Sequence, residues 1–217
     1  MKNITHFLFD FDGTLIDSMV TFSRCVLTVL DKFGVKYPND IIKICTPLGA
    51  KDTPKYCIET FKMDVSEDEF RKIMFEVAVP DYESSIPAKE TVIETMRELK
   101  KRGYSLNILT GSPHETLDPA FNRLGFGELF DNAWSVNDFP TNKTDPKIYL
   151  MTAELLGAKP ENIVFLDDNI NANRAAKKAG LKVIGVYDVS SDAFVDEMKS
   201  ELDGYVYKME ELLSIIE

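Results

Sequence analysis

Positive charge is scarce in this sequence of 217 residues. It contains 25 lysines and arginines against 36 aspartates and glutamates, which gives a formal net charge of −11 at pH 7. A surface that binds nucleic acid or an anionic membrane needs clustered lysine and arginine. We therefore expect neither kind of partner. An anionic small molecule would have to be held by a local cationic group rather than by the overall field.

Cysteines and long apolar segments are also few. The three cysteines, Cys25, Cys45 and Cys57, lack metal-ligand spacing, and their odd number in a chain without an apolar leader predicts reduced thiols in the cytoplasm. We expect them to act as small apolar groups. No segment approaches the roughly 20 apolar residues that a membrane helix requires. No apolar segment demands a protein partner, so we expect a monomer.

Apolar residues are nevertheless abundant enough for a large core. At 44% hydrophobic residues, the chain can bury one full core and a second, smaller one. After a first short strand, residues 18–87 show helical periodicity, and a first apolar stripe stops at Gly34. The members of that stripe are Met19, Phe22, Val26, Val29, Leu30 and Phe33.

Helices and strands alternate from residue 86 onward. The predicted elements are a helix over 89–102, a strand over 104–110, a strand over 163–166, a helix over 171–178 and a strand over 183–186. Strands separated by helices imply right-handed crossovers and a parallel sheet. The sequence thus predicts an α/β fold. Residues 1–17 and 87–217 would form a doubly wound parallel sheet, and residues 18–86 an inserted α-helical domain.

The first predicted strand ends in two carboxylates. An apolar run rich in phenylalanine reaches Asp10 and Asp12, and Gly13 then permits a sharp turn. Acids at the end of a buried strand are costly unless they bind something, and in a parallel α/β sheet that end is where ligands bind. The position suits a metal, a phosphate or both. Taken alone, the same residues also fit a solvated acidic turn.

A later strand has the same character. Val164-Phe165-Leu166 runs directly into Asp167 and Asp168. Two buried strands that deliver carboxylates to one edge of a sheet concentrate negative charge, and a hard cation would relieve it. Oxygen ligands favour Mg²⁺ over softer metals.

Four segments, in this order, resemble the motifs of the haloacid dehalogenase-like (HAD) superfamily. They are Asp10-Phe11-Asp12-Gly13-Thr14, which is similar to the DxDGT signature, then Thr110-Gly111-Ser112, then Lys143-Thr144-Asp145-Pro146, and finally Asp167-Asp168. The segment Thr46-Pro47-Leu48-Gly49 resembles the specificity loop of the phosphoglycolate-phosphatase-like subgroup. The resemblance covers nearly the whole chain. It implies a HAD-like Rossmannoid core with a helical cap inserted after the first motif.

The resemblance also implies a role for each motif residue. Asp10 would be the nucleophile and Asp12 the general acid and base. Thr110, Gly111 and Lys143 would bind the phosphoryl group. The Mg²⁺ ligands would be Asp10, Asp12, Asp167 and Asp168. Two positions depart from the family pattern, because Thr144 replaces the usual proline after the lysine and Ala172 replaces an acid that often follows the last motif.

An acid at Asp12 is typical of the phosphatases and phosphomutases of the family and is missing from its dehalogenases and phosphonate hydrolases. A mutase would place a histidine where this chain has Phe22. We therefore predict a cytoplasmic, Mg²⁺-dependent phosphatase that hydrolyses a small phosphorylated metabolite through an aspartyl-phosphate. Phosphoglycolate, sugar phosphates and nucleoside monophosphates all stay open as substrates.

Two alternatives stay open at this point. Lys51 is a candidate substrate contact, and it lies one place out of register with the Schiff-base lysine of phosphonoacetaldehyde hydrolase, which cleaves a C–P bond. A non-catalytic phosphoester-binding module is the second alternative, although such a protein is expected to have lost Asp10, Asp12, Lys143 or Asp168. His114 is a tempting general base, but Ser112-Pro113-His114-Glu115 also fits a capped helix start.

Overall fold

A single parallel sheet organises the molecule. The computed structural model describes residue 1 and residues 3–216. Within them the sheet has six strands in the order β3-β2-β1-β4-β5-β6, and every pair is parallel. The strands are β1 (His6–Phe9), β2 (Ser105–Thr110), β3 (Asn132–Ser135), β4 (Ile163–Asp167), β5 (Lys182–Val186) and β6 (Gly204–Val206). This confirms the predicted doubly wound α/β fold.

Helices pack on both faces of the sheet and also form the insert between β1 and β2. They are α1 (Met19–Lys32), α2 (Ile41–Cys45), α3 (Gly49–Phe61), α4 (Glu67–Ser84), α5 (Val92–Lys101), α6 (His114–Arg123), α7 (Pro146–Leu155), α8 (Ile170–Lys178), α9 (Val195–Glu201) and α10 (Leu212–Ile215). No helix in the described part of the chain combines the length and the apolar character that crossing a membrane requires.

Side-chain alternation along β1 creates two apolar cores. Phe7 and Phe9 point into one core, which also receives the apolar sides of α5 and α6. Leu8 points into the other core, which is completed by α7 and α8. All three side chains are fully buried. Phe7, Leu8 and Phe9 form a continuous apolar run because both faces of β1 are covered.

The helical insert between β1 and β2 follows the predicted periodicity. Helix α1 buries Val26, Val29 and Leu30, and the chain leaves the helix at Gly34 with φ +65°. The three cysteines of this region are free and buried, as expected for small apolar groups. We call α1–α4 the cap. The division of the chain after residues 17 and 86 stays a prediction.

Strands β3 and β6 were not among the predicted elements, and the start of α6 differs from the predicted one. Strands β3 and β6 have four and three residues and lie at the two edges of the sheet. Short edge strands lack a continuous apolar run, so their pairing with β2 and β5 creates them rather than local propensity. Helix α6 begins at His114, and its cap residue, Pro113, provides no side-chain hydrogen bond.

The strand order defines the place for a site. The chain moves outward from β1 to β3 and then returns to β4 on the other side of β1. Ligands of open α/β sheets bind at the carboxyl ends of the strands where the winding reverses. In this protein that point lies between the ends of β1 and β4.

Candidate active site

The first motif leaves β1 in register with β4. The Asp10 N–H donates to the Leu166 carbonyl at 2.8 Å, which places Asp10 beside Asp167. Gly13 then turns the chain with φ +74°. A Cβ on Gly13 would lie 2.7 Å from Asp168 Oδ2, so the position has no room for a side chain. The glycine thus serves two purposes, a left-handed turn and close approach to a carboxylate.

Three carboxylates converge at the point where the winding reverses. Asp10, Asp167 and Asp168 are all buried and offer oxygens within 4.8 Å of one another. Thr14 fixes Asp168, because its hydroxyl donates to Asp168 Oδ1 at 3.3 Å and accepts from the Asp168 N–H at 3.2 Å. We call these three carboxylates the acidic cluster.

Burial and mutual repulsion raise the pKa values of the acidic cluster. The pKa of Asp10 rises to about 8, mainly through desolvation and then through the charge of Asp167. Burial likewise raises the pKa of Asp167 and, more strongly, that of Asp168. Both effects disfavour the ionised form. A purely oxygen donor set with excess negative charge fits a hard divalent cation such as Mg²⁺.

Lys143 brings the positive charge that faces this cluster. Its Nζ lies 2.5 Å from Asp10 Oδ1 and 2.5 Å from Asp167 Oδ2. Burial lowers the pKa of Lys143, but the two neighbouring carboxylates raise it by more, so the ammonium form persists. Tyr149 holds the loop that carries Lys143. Its hydroxyl lies 2.8 Å from the Lys143 carbonyl and 3.0 Å from the Ala172 carbonyl. Thr144 in place of proline leaves the lysine in position.

Asp12 lies in a different environment, surrounded by hydroxyl groups. Ser18 and Tyr82 donate to its Oδ1 at 2.7 and 2.5 Å. Ser112 and Thr110 donate to its Oδ2 at 2.6 and 3.3 Å. Burial and the Asp12 charge raise the pKa of Tyr82 well above its ordinary value, so this phenol stays a donor. We call these four side chains the hydroxyl cage; the predicted contact of Asp12 with the metal stays a prediction.

The second motif contributes to the cage rather than to a helix cap. Ser112 was expected to begin α6, but its hydroxyl donates to Asp12, and its N–H donates to Thr110 Oγ1 at 3.0 Å. Gly111 lines the same cleft. The motif therefore presents a small residue and two ordered hydroxyls beside the acidic cluster, which is a suitable surface for phosphate oxygens.

The cap covers a cleft of about 170 Å³ above these groups. Its cap-side wall is formed largely by apolar side chains, among them Met19, Phe22, Met74 and Phe75. Lys51 lines the same cleft from the first turn of α3, and its side chain is exposed. The predicted substrate contact is thus placed near the cluster, and the contact itself stays a prediction.

A loop of the cap is fastened to the core beside the acidic cluster. The Pro47 carbonyl accepts from the side-chain amides of Asn169 and Asn171 at 3.3 and 3.2 Å. The Asn169 N–H donates to Asp167 Oδ1 at 2.6 Å, and its side-chain oxygen caps α8. One residue therefore touches the cap loop, the acidic cluster and the start of a helix.

His114 has two carboxylate partners of its own. Its Nδ1 lies 2.9 Å from Asp118 and its Nε2 lies 3.1 Å from Asp138. These contacts, Asp118 first, raise the pKa of His114 above its ordinary value of 6.5. Both ring nitrogens are engaged in ion pairs at the start of α6, which supports a structural role.

The raised pKa of His114 predicts a pH-dependent effect on stability. A histidine whose pKa is higher in the folded state stabilises the fold fully below the unfolded-state pKa, and the stabilisation disappears as the pH rises through the folded-state pKa. We expect His114→Gln to lower the unfolding temperature at about pH 5.5 more than at about pH 8.5. Because the ion pairs of His114 are about half exposed, their contribution to the free energy of unfolding should be less than about 1 kcal/mol. Thermal unfolding at both pH values measures this. Equal losses would contradict it.

Sequence comparison identifies the family. A model of the haloacid dehalogenase-like hydrolases matches residues 7–186, which include all four motifs. The chain belongs to the haloacid dehalogenase-like hydrolase family. The acidic cluster, Lys143 and two members of the hydroxyl cage, Thr110 and Ser112, lie in the four motif segments within the matched residues.

Named relatives and solved structures are consistent with that membership. The chain is 32% identical over 189 residues to pyrophosphatase PpaX of Bacillus velezensis, covering 85% of this chain and 84% of the relative. It is 28% identical over 188 residues to phosphoglycolate phosphatase of Psychrobacter arcticus, covering 82% and 81%. The fold is shared with CbbY of Rhodobacter sphaeroides in complex with phosphate, with a TM-score of 0.81 at 24% identity over 96% of both chains.

The hydroxyl cage contains residues that sequence reasoning missed. Ser18 and Tyr82 were not predicted to touch Asp12, and Tyr82 lies 70 positions away from it along the chain. Tyr149 was not predicted to hold the lysine loop. Ser112 carried a usable signal, because it follows Thr110 closely at a strand end. Tyr82 carried none, because only the packing of the cap brings it to the site.

Proposed function

We propose that this HAD-like protein is a Mg²⁺-dependent phosphatase that hydrolyses phosphomonoesters of small metabolites. The observation that carries the proposal is that two carboxylates of the same turn, Asp10 and Asp12, lie in different environments. Asp10 lies in the charged acidic cluster against Lys143, whereas Asp12 lies among neutral hydroxyls. Environments that differ in this way assign two carboxylates to different chemical tasks.

Asp10, Asp167 and Asp168 would hold the metal ion, and Asp12 is a further candidate from the motif. Bound there, Mg²⁺ would supply positive charge to the phosphoryl oxygens and lessen repulsion between the phosphate and the acidic cluster. The fit rests on the donor set, because three buried carboxylates converge and the Lys143 ammonium contacts only two of them, Asp10 and Asp167.

Asp10 would act as the nucleophile. One of its carboxylate oxygens attacks phosphorus in line, the bond from phosphorus to the leaving oxygen breaks, and an aspartyl-phosphate forms. Asp12 gives a proton to the leaving oxygen. In the second half, Asp12 takes a proton from water, the water oxygen attacks phosphorus, and the Asp10 carboxylate is released.

Lys143, Thr110 and Gly111 would hold the phosphoryl group during both steps. The Lys143 ammonium is already ordered between two carboxylates, so little reorganisation is needed when a phosphate arrives. Gly111 leaves space for the backbone to approach the phosphate, and the Thr110 hydroxyl lies at the same strand end.

The composition of the cleft is compatible with binding of a small organic leaving group. The carbon atoms of such a group could contact the apolar side chains of the cap, which are Met19, Phe22, Met74 and Phe75. Among the described residues that line the cleft, the cation contributed by the cap is Lys51. The same lysine keeps phosphonoacetaldehyde among the compounds to be tested. Asp12 and its hydroxyl cage favour cleavage of a P–O bond, because that reaction needs a proton donor for the leaving oxygen.

The test is phosphate release from a panel of compounds. The panel contains phosphoglycolate, sugar phosphates, nucleoside monophosphates, pyrophosphate, p-nitrophenyl phosphate and phosphonoacetaldehyde. We expect release from at least one phosphomonoester with Mg²⁺, and a fall of at least about 100-fold with excess EDTA. Hydrolysis of phosphonoacetaldehyde alone would instead support C–P cleavage. Binding without release from any compound would support a phosphoester-binding module.

A further inference from the structure

The carboxylate of Asp12 is held half by the core and half by the cap side. Its Oδ2 accepts hydrogen bonds from Thr110 and Ser112, which follow β2 in the core. Its Oδ1 accepts from Ser18, just before α1, and from Tyr82 in α4. The orientation of the carboxylate plane therefore depends on both parts of the molecule. Without the Oδ1 contacts, only the two hydrogen bonds to Oδ2 would restrict rotation of the carboxylate about its Cβ–Cγ bond.

Tyr82 is well placed to fix this orientation. It is 6% exposed, and its hydroxyl lies 2.5 Å from Asp12 Oδ1. The last turn of α4 is tied to core helix α6, because Arg123 donates to the carbonyls of Tyr82 and Ile86 at 3.2 and 2.5 Å. The backbone of Tyr82 is therefore anchored to the core although it belongs to the cap.

We propose that Tyr82 is a positioning residue that aims Asp12 at the leaving oxygen. The inference rests on the proposed phosphatase function and deepens it. Tyr82 does not touch the phosphoryl group in this scheme; it acts by holding the proton donor in line. The effect of Tyr82 on the rate of P–O bond cleavage should then depend on how strongly the leaving group needs a proton when that bond breaks.

The dependence on the leaving group separates positioning from general structural support. Three phosphomonoesters of similar size provide the series: p-nitrophenyl, phenyl and benzyl phosphate. Nitrophenolate leaves without help, whereas benzyl alcohol is a far weaker acid and its oxygen must be protonated as it departs. The ratio kcat/KM reports the step in which the leaving group departs, and it is measured for each substrate.

We expect Tyr82→Phe to lower kcat/KM for benzyl phosphate by about tenfold or more and for p-nitrophenyl phosphate by less than about threefold, with phenyl phosphate between them. Ser18→Ala, which removes the other donor to Oδ1, should change the series in the same direction. Tyr205→Phe is the matched control, because the buried Tyr205 hydroxyl has no hydrogen-bond partner among the described residues. It should leave all three values unchanged.

Equal losses for all three substrates in Tyr82→Phe, or no loss at all, would overturn the positioning role. Thermal unfolding of each variant shows whether a uniform loss reflects a damaged fold. Wild-type protein that hydrolyses none of the three esters, nor any phosphomonoester of the wider panel, would overturn the proposed function and this inference together. An active wild type with an unchanged ratio in Tyr82→Phe would overturn only the inference.

Discussion

Asp10→Asn is expected to lower kcat by at least about 10⁴-fold while leaving the protein folded. The amide keeps the shape of the side chain but is a poor nucleophile, so the aspartyl-phosphate cannot form. Phosphate release from the best substrate of the panel measures the effect. Asp17→Asn is the matched control, since Asp17 is an exposed carboxylate a few residues away.

The same variant should be at least as stable as the wild type without metal. Asp10 is one of three buried carboxylates that lie close together, and burial and the charge of Asp167 disfavour its ionised form, so removing its charge relieves repulsion. Mg²⁺ should raise the unfolding temperature of the wild type more than that of the variant, because a ligand stabilises the state that binds it. Retained activity in Asp10→Asn would exclude Asp10 as the nucleophile.

Lys143→Met is expected to reduce both activity and stability. Loss of its ammonium should lower kcat/KM by about 10³-fold, because the phosphoryl group loses a preorganised positive charge. It should also cost about 3 kcal/mol in the free energy of unfolding, since Asp10 and Asp167 are left buried without their partner. Steady-state kinetics and denaturant unfolding measure the two effects.

Two further variants define the role of the lysine. Lys147→Met changes an exposed lysine of the same segment and should leave both quantities near wild type. Lys143→Arg keeps the charge, so it should recover more of the stability than of the activity, because the planar guanidinium cannot replace a compact ammonium at this distance. A Lys143→Met variant with normal kcat/KM would remove Lys143 from the phosphate site.

The sequence allowed the acidic cluster to be predicted because its members follow apolar strand runs. A buried strand that ends in Asp10 or in Asp167 and Asp168 carries its own signal, and parallel strands meet at one edge. Lys143 lies in a polar loop, and only its resemblance to a family motif indicated it. The local pattern therefore predicted the carboxylates, whereas the ammonium required comparison with other proteins.

The hydroxyl cage and the edge strands could not be predicted in this way. Tyr82 reaches Asp12 only because α4 packs against α6 and Arg123 ties the end of α4. Such contacts arise from tertiary packing, and neither periodicity nor spacing records them. The same holds for β3, whose four residues become a strand only beside β2.

Asn169 is a physical link between the cap loop and the acidic cluster, where the proposed cation would bind. Its amide holds the Pro47 carbonyl, and its N–H binds Asp167. By thermodynamic reciprocity, the factor by which a bound cation favours the seated loop equals the factor by which the seated loop favours the cation. For the proposed metal, the change in loop opening between cation-free and cation-loaded protein would therefore equal, as a free energy, the change in cation affinity between the open and the seated loop.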